Sequence, residues 1–194
     1  MTARNAPSDA AHEPNDTRTP ILVSRCLLGE PCRYDGRAKT AIVARLKAPE
    51  VLAHIRWIPI CPESDAGLPT PRPPCEIEPG KTAEAVLAGC ARLVTCDGGD
   101  ATREYLRGAE IALEAARSSG SRRALLKARS PSCSPSGVYD GTFQGKLIPG
   151  RGVTAERLVR AGVELWSEET LEGCFKNVLH ERFLNALLPP EHLE

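Results

Sequence analysis

Four short apolar runs of strand type set the frame of this chain, and three of them run into a cysteine. "ILVSR" (21–25) is followed at once by Cys26 and "IRWIPI" (55–60) by Cys61. "RALLKA" (123–128) leads into the loop "RSPSC", which ends in Cys133, and "VELWS" (163–167) is the fourth run. Helical patterns lie between them. Residues 39–48 have helical spacing and stop before Pro49, since proline disfavours helix in the residue before it. Asp100 is a plausible N-cap for a helix whose apolar face, Tyr105, Leu106, Ala109, Ile111, Leu113 and Ala116, ends at Gly120. Thr154 is placed to cap a shorter helix over 154–162. "GLPTPRPPCEIEPG" is too proline-dense for regular helix or central strand. Residues 86–96 are ambiguous, with room for an edge strand, and 137–152 read as a glycine-punctuated loop or hairpin. Strands alternating with helices predict a single α/β domain with a mostly parallel sheet flanked by helices, a Rossmann-like three-layer arrangement.

In open α/β sheets ligands sit beyond the carboxyl ends of the strands. Cys26, Cys61 and Cys133 are therefore expected on one face, where three soft thiols suit zinc or an iron–sulfur cluster. The competing reading is three buried cysteines acting as small hydrophobes. The chain carries eight cysteines and no CxxC, so it lacks the knuckle of an ordinary structural zinc site. Lys plus Arg and Asp plus Glu balance at 25 each, which argues against a nucleic-acid or membrane surface. No apolar run approaches the ~18 residues of a membrane span. Residues 1–19 are polar and proline-bearing, read as a disordered leader without the apolar core of a signal peptide. A reducing cytoplasm, where cysteines stay free, is the expected compartment.

"VSRCLLGEPCRYDG", "CPESDAGLPTPRPPCEI", "LLKARSPSCS" and "GVYDGTFQGKLIPGRGVTAERLVRAGVELWSEE" resemble, in order, the signature blocks of the DUF523 family over roughly residues 21–170. Its characterised members are thiouracil desulfidases. The resemblance implies a [4Fe–4S] cluster held by only three cysteines, Cys26, Cys61 and Cys133, with one iron open to the substrate's sulfur. Cys32 ranks behind them. Cys75 is left out, at a position where the family often carries another residue, and Arg25 departs from the small residue expected before the first ligand. The tail 171–194 lies beyond the match and is expected as a C-terminal helical extension. Cys90, Cys96 and Cys174 read as ordinary buried or partly buried thiols.

A thiocarbonyl sulfur is a soft ligand, and coordination would make its carbon electrophilic toward water, with no net electron transfer. The expected products are the oxo base and hydrogen sulfide, from a small-molecule thiolated pyrimidine. Glu63 of "CPE" is the candidate base and Ser130 of "RSPSC" its catalytic partner, with Ser132 as the competing serine. Asp35 of "RYDG" and Ser132 are the candidate substrate contacts, although Asp-Gly is first a turn signal. Lys127, Arg129 and Arg33 read as solvated charges, whereas the proline-rich loop is expected to pin Arg72 inward. The four histidines show no ligand spacing. Two rivals are a sulfur transferase acting on a tRNA base, which would want a basic surface, and a metal-stabilised binding module with Cys32 as a fourth ligand.

Overall fold

The protein is described by a computed structural model covering residues 16–170. The expected leader up to residue 15 and the expected extension over 171–194 lie outside the described residues, and the first strand begins at Thr19. In chain order the elements are β1 (Thr19–Ser24), α1 (Val43–Leu46), α2 (Pro49–His54), β2 (Ile55–Ile60), α3 (Pro62–Asp65), β3 (Cys75–Ile77) and α4 (Ala83–Leu87). There follow β4 (Leu93–Thr95), α5 (Thr102–Ser119), β5 (Arg123–Leu126), β6 (Gly137–Tyr139), β7 (Leu147–Pro149), α6 (Val153–Arg160) and β8 (Glu164–Ser167).

All four apolar runs enter one parallel sheet in the order β2-β1-β5-β8. Alternate residues of a strand point to opposite faces, and the core divides accordingly. Ile21, Val23 and Leu125 pack with Leu46 and Val51 under α1 and α2. Leu22, Ala124 and Leu126 pack with Ala112, Leu113 and Leu158 under α5 and α6. Strands covered on both faces read as near-continuous apolar runs, which is why these were visible in the sequence. A third cluster joins the antiparallel pair β3–β4 to α4 and to Tyr105 and Ala109 of α5. The glycine-punctuated segment forms the antiparallel hairpin β6–β7.

The α/β class and parallel sheet stand as expected, and three local readings change. Pro49 does not close a helix over 39–48. That segment holds only a 3-10 turn and the single turn of α1, and Pro49 opens α2 as its first residue, where the missing N–H costs nothing. Thr154 is not a cap. Gly152 precedes α6, and the Thr154 hydroxyl is hydrogen-bonded to that of Ser132 instead. Asp100 stands one residue before the Ala101 cap, yet its Oδ1 still accepts the Thr102 N–H at 2.9 Å.

One glycine fixes how α5 meets the turn after β2. A Cβ on Gly108 would lie 2.3 Å from the Pro62 carbonyl oxygen, a backbone atom that cannot swing aside. Gly108→Ala is therefore expected to destabilise the protein by about 1–3 kcal/mol through overpacking, read as a lowered urea midpoint at unchanged slope. A midpoint at or above that of the parent would show that α5 does not seat on Pro62.

Candidate functional site

The carboxyl ends of three adjacent strands, β2, β1 and β5, deliver the thiols. Past β1 the chain enters a 3-10 turn, Arg25–Leu28, that buries Cys26 and ends at Gly29. Gly29 has φ +97, a left-handed conformation that glycine adopts without penalty. Past β2, Cys61 caps α3, and its N–H donates to Asp65 Oδ2 at 2.9 Å. The other oxygen of Asp65 accepts from Arg25 Nη2 at 2.6 Å. Arg25 thereby ties the first thiol turn to the second, which accounts for a large cation at that position. Past β5, Ser130 Oγ accepts the N–H groups of Ser132 (3.2 Å) and Cys133 (3.1 Å), folding the third turn around its thiol.

Glu63 lies in the same place. Its Oε2 accepts from Arg72 Nε at 2.8 Å and from Nη2 as well, a charge-assisted fork. Arg72 is buried as the proline-rich loop suggested, and it also donates to the carbonyl oxygens of Cys32 (3.2 Å) and Pro69 (3.1 Å). With both Ser130 lone pairs taken by backbone donors, its hydrogen is directed to Glu63 Oε1, 3.5 Å away. Oε1 is thus the freer oxygen of that carboxylate.

These groups line one cavity of about 570 Å³ that takes in Cys26, Cys32, Cys61 and Cys133 together with Glu63, Arg72 and Ser130. Burial, with Glu63 and Cys61 nearby, pushes the Cys133 thiol up to about 12. A hydrogen bond with Cys26 pushes Cys32 up to about 11, and one with Cys32, together with burial, raises Cys61 well above the usual thiol range. Thiols crowded and desolvated in this way hold their protons, and a bound cationic metal centre is what reverses that preference. Among the described residues no three His, Cys, Asp or Glu side chains gather tightly enough for a single metal ion. Cys26, Cys32, Cys61 and Cys133 share the wall of one cavity.

A profile of the family described as 2-thiouracil desulfurase matches residues 21–170. The chain belongs to the 2-thiouracil desulfurase family. The Bacillus subtilis (strain 168) protein YbbK, itself described as uncharacterised, is 42% identical over 151 residues, covering 78% of this chain and 97% of its own. Among solved structures, the [4Fe-4S]-dependent thiouracil desulfidase TudS (DUF523Vcz) is 40% identical with a TM-score of 0.68, covering 80% of this chain and 95% of that one. Its likeness extends the family assignment from sequence to the α/β fold.

Within this member of the desulfurase family, two expected substrate contacts are placed elsewhere. Ser132 is fully buried, and its hydroxyl is 2.9 Å from Thr154 Oγ1 beneath the cavity wall. Asp35 accepts the Arg37 N–H at 3.1 Å and pairs with Arg33 at 3.2 Å, so its carboxylate serves the turn. The neighbours of Asp35, Arg33 and Tyr34, line the cavity instead. Cys90 and Cys96 are exposed rather than buried, and Cys174 lies outside the described residues. Cys75 and Cys96 both reach the cavity wall, brought there by the β3–β4 pairing, in which the Cys96 N–H donates to the Pro74 carbonyl. Lys127 and Arg129, read as solvated, are paired with Glu168 and Glu169 at the cavity edge. Such long-range pairings leave no trace in local sequence.

Proposed function

We propose that this chain is a desulfidase that removes sulfur from a thiolated pyrimidine by non-redox hydrolysis, giving the oxo base and hydrogen sulfide. Cys26, Cys61 and Cys133 would hold a [4Fe–4S] cluster, and the thiol-lined cavity beside a carboxylate–arginine–serine unit is the observation that carries the reading. The donor set fits, because cysteine sulfur is the ligand such clusters take and the three thiols come from three neighbouring strand ends. When bound, the cluster supplies an open iron, a soft Lewis acid for a thiocarbonyl sulfur.

The remaining chemistry falls to side chains of this chain. Arg72 grips one oxygen of Glu63 and so turns the other, Oε1, toward the cavity. Glu63 Oε1 takes one proton of the attacking water and returns it to the departing sulfur, while the proton of the new C–OH is released as the C–S bond breaks and completes hydrogen sulfide. Ser130 donates to Oε1 or to that water and fixes the direction of the transfer. Arg72, held by the Pro69 carbonyl of the proline-rich loop, and Pro74 form part of the cavity wall beside Glu63. Among the described residues no helix is long and apolar enough to cross a membrane. A reducing cytoplasm, where cysteines stay free, is the compartment this reading expects.

Anaerobic purification, iron and acid-labile sulfide analysis, and sulfide release from 2-thiouracil test this reading. About four irons per chain, as one cubane gives, with uracil and sulfide formed in equal amounts, is the expected result. Iron without release from any thiolated pyrimidine would overturn the desulfidase reading. A colourless zinc protein would overturn the cofactor.

A further inference from the structure

Aromatic residues make up only 4% of the chain, and they are gathered unevenly. All three tyrosines, Tyr34, Tyr105 and Tyr139, line the thiol cavity with Phe143, while Trp57 and Trp166 pack against the sheet core. Tyr34 and Phe143 are 44% and 36% exposed, so their rings are not consumed in packing. They come from separate segments, the loop after β1 and the β6–β7 turn.

Phe143 is unusual in its backbone. Among the described residues only Arg129 (φ 61) and Phe143 (φ 58) adopt the left-handed region without being glycine, and both line the cavity. A bulky residue persists there only where its surroundings dictate the conformation. Here they do so through Glu76, a buried carboxylate on β3, whose Oε2 accepts the N–H groups of Gly141 (2.8 Å) and Phe143 (3.1 Å). The turn is also pressed onto β3. A Cβ on Gly141 would lie 2.4 Å from the Ile77 carbonyl oxygen and 2.6 Å from the Pro79 nitrogen. Asp140 Oδ1 completes the brace by accepting from the Thr142 N–H at 3.1 Å and its hydroxyl at 2.6 Å. A buried acid, a strained residue and a glycine-only approach thus combine to present a phenyl ring at the rim of the site.

We propose that Phe143 is the stacking platform for the substrate's pyrimidine ring, with Glu76 as its positioning residue and Tyr34 as a second aromatic surface. The proposal rests on the desulfidase reading and deepens it, because it makes a planar ring the feature selected beside the thiocarbonyl. Aromatic faces bind nucleobases by stacking, and alanine in place of such a ring weakens binding by about tenfold or more.

The experiment compares 2-thiouracil with thiourea, which offers the same thiocarbonyl between two nitrogens but no ring. Binding of 2-thiouracil is measured separately by equilibrium dialysis. Phe143→Ala is expected to raise KM and the dissociation constant for 2-thiouracil about tenfold with kcat little changed. The preference for 2-thiouracil over thiourea should fall by the same factor, with iron content unaltered. Phe143→Trp should restore the parental values. Glu76→Ala should reproduce the rise in KM and Glu76→Gln, which keeps an accepting oxygen, should not. Sulfide release with an unchanged KM in Phe143→Ala overturns the platform and leaves the desulfidase standing. Dialysis binding that Phe143→Ala weakens, in a protein releasing no sulfide, supports the platform and overturns the desulfidase.

Discussion

Cys26→Ala, Cys61→Ala and Cys133→Ala are each expected to leave a folded protein with almost no iron and no measurable sulfide release. The three thiols stand at the ends of β1, β2 and β5, where each is buried and faces the common cavity. A cluster resting on three protein ligands has none to spare, and removing one exposes a second iron to solvent and loss. Alanine is smaller than cysteine and apolar, so far-UV circular dichroism should remain that of the parent. The informative contrast comes from the other thiols that line the same cavity. Cys32→Ala, Cys75→Ala and Cys96→Ala should retain iron close to the parental content, measured under the same anaerobic conditions. Iron lost from Cys32→Ala but kept in Cys26→Ala would exchange their roles and defeat the ligand assignment.

The second large effect concerns the proton. Glu63→Gln keeps the shape of the side chain and an oxygen for Arg72, while removing the carboxylate proposed to accept a proton from water. Sulfide release should fall by about 10²–10⁴-fold, the usual worth of general acid–base help, with iron content and 2-thiouracil binding retained. Single-turnover sulfide release with cluster-loaded protein measures it directly. A fall of less than about tenfold would remove Glu63 from the chemistry and leave it as a strut for Arg72.

The parts of this architecture that could be read from sequence were those governed by short-range pattern. β1, β2, β5 and β8 declared themselves as apolar runs because strands buried on both faces cannot alternate with polar residues. The three cysteines followed from where those runs stop. Ser130 was legible for a local reason, since a serine before "PSC" folds its hydroxyl back on the next amides. What the sequence withheld depended on partners far along the chain. Ser132 looks as suitable as Ser130 until Thr154, on α6, claims its hydroxyl. Asp35 stands apart from the cavity lining for a local reason, because its oxygens accept the Arg37 N–H and pair with Arg33 within the turn. Pro49 misled because proline both ends and begins helices, and which one it does depends on the residues that follow. The aromatic rim was missed because Tyr105 reads as part of a helical apolar face, while Tyr34 and Phe143 sit in loops without periodicity.

The order β2-β1-β5 sets a schedule as well as a shape. Cys133 trails Cys26 by roughly a hundred residues, so at ~5–20 residues per second the third thiol leaves the ribosome many seconds after the first. Until β5 docks beside β1, the proposed ligand trio lacks Cys133. On the proposed ligand set, loading of a three-cysteine cluster waits for β5 to dock and is a late event in folding.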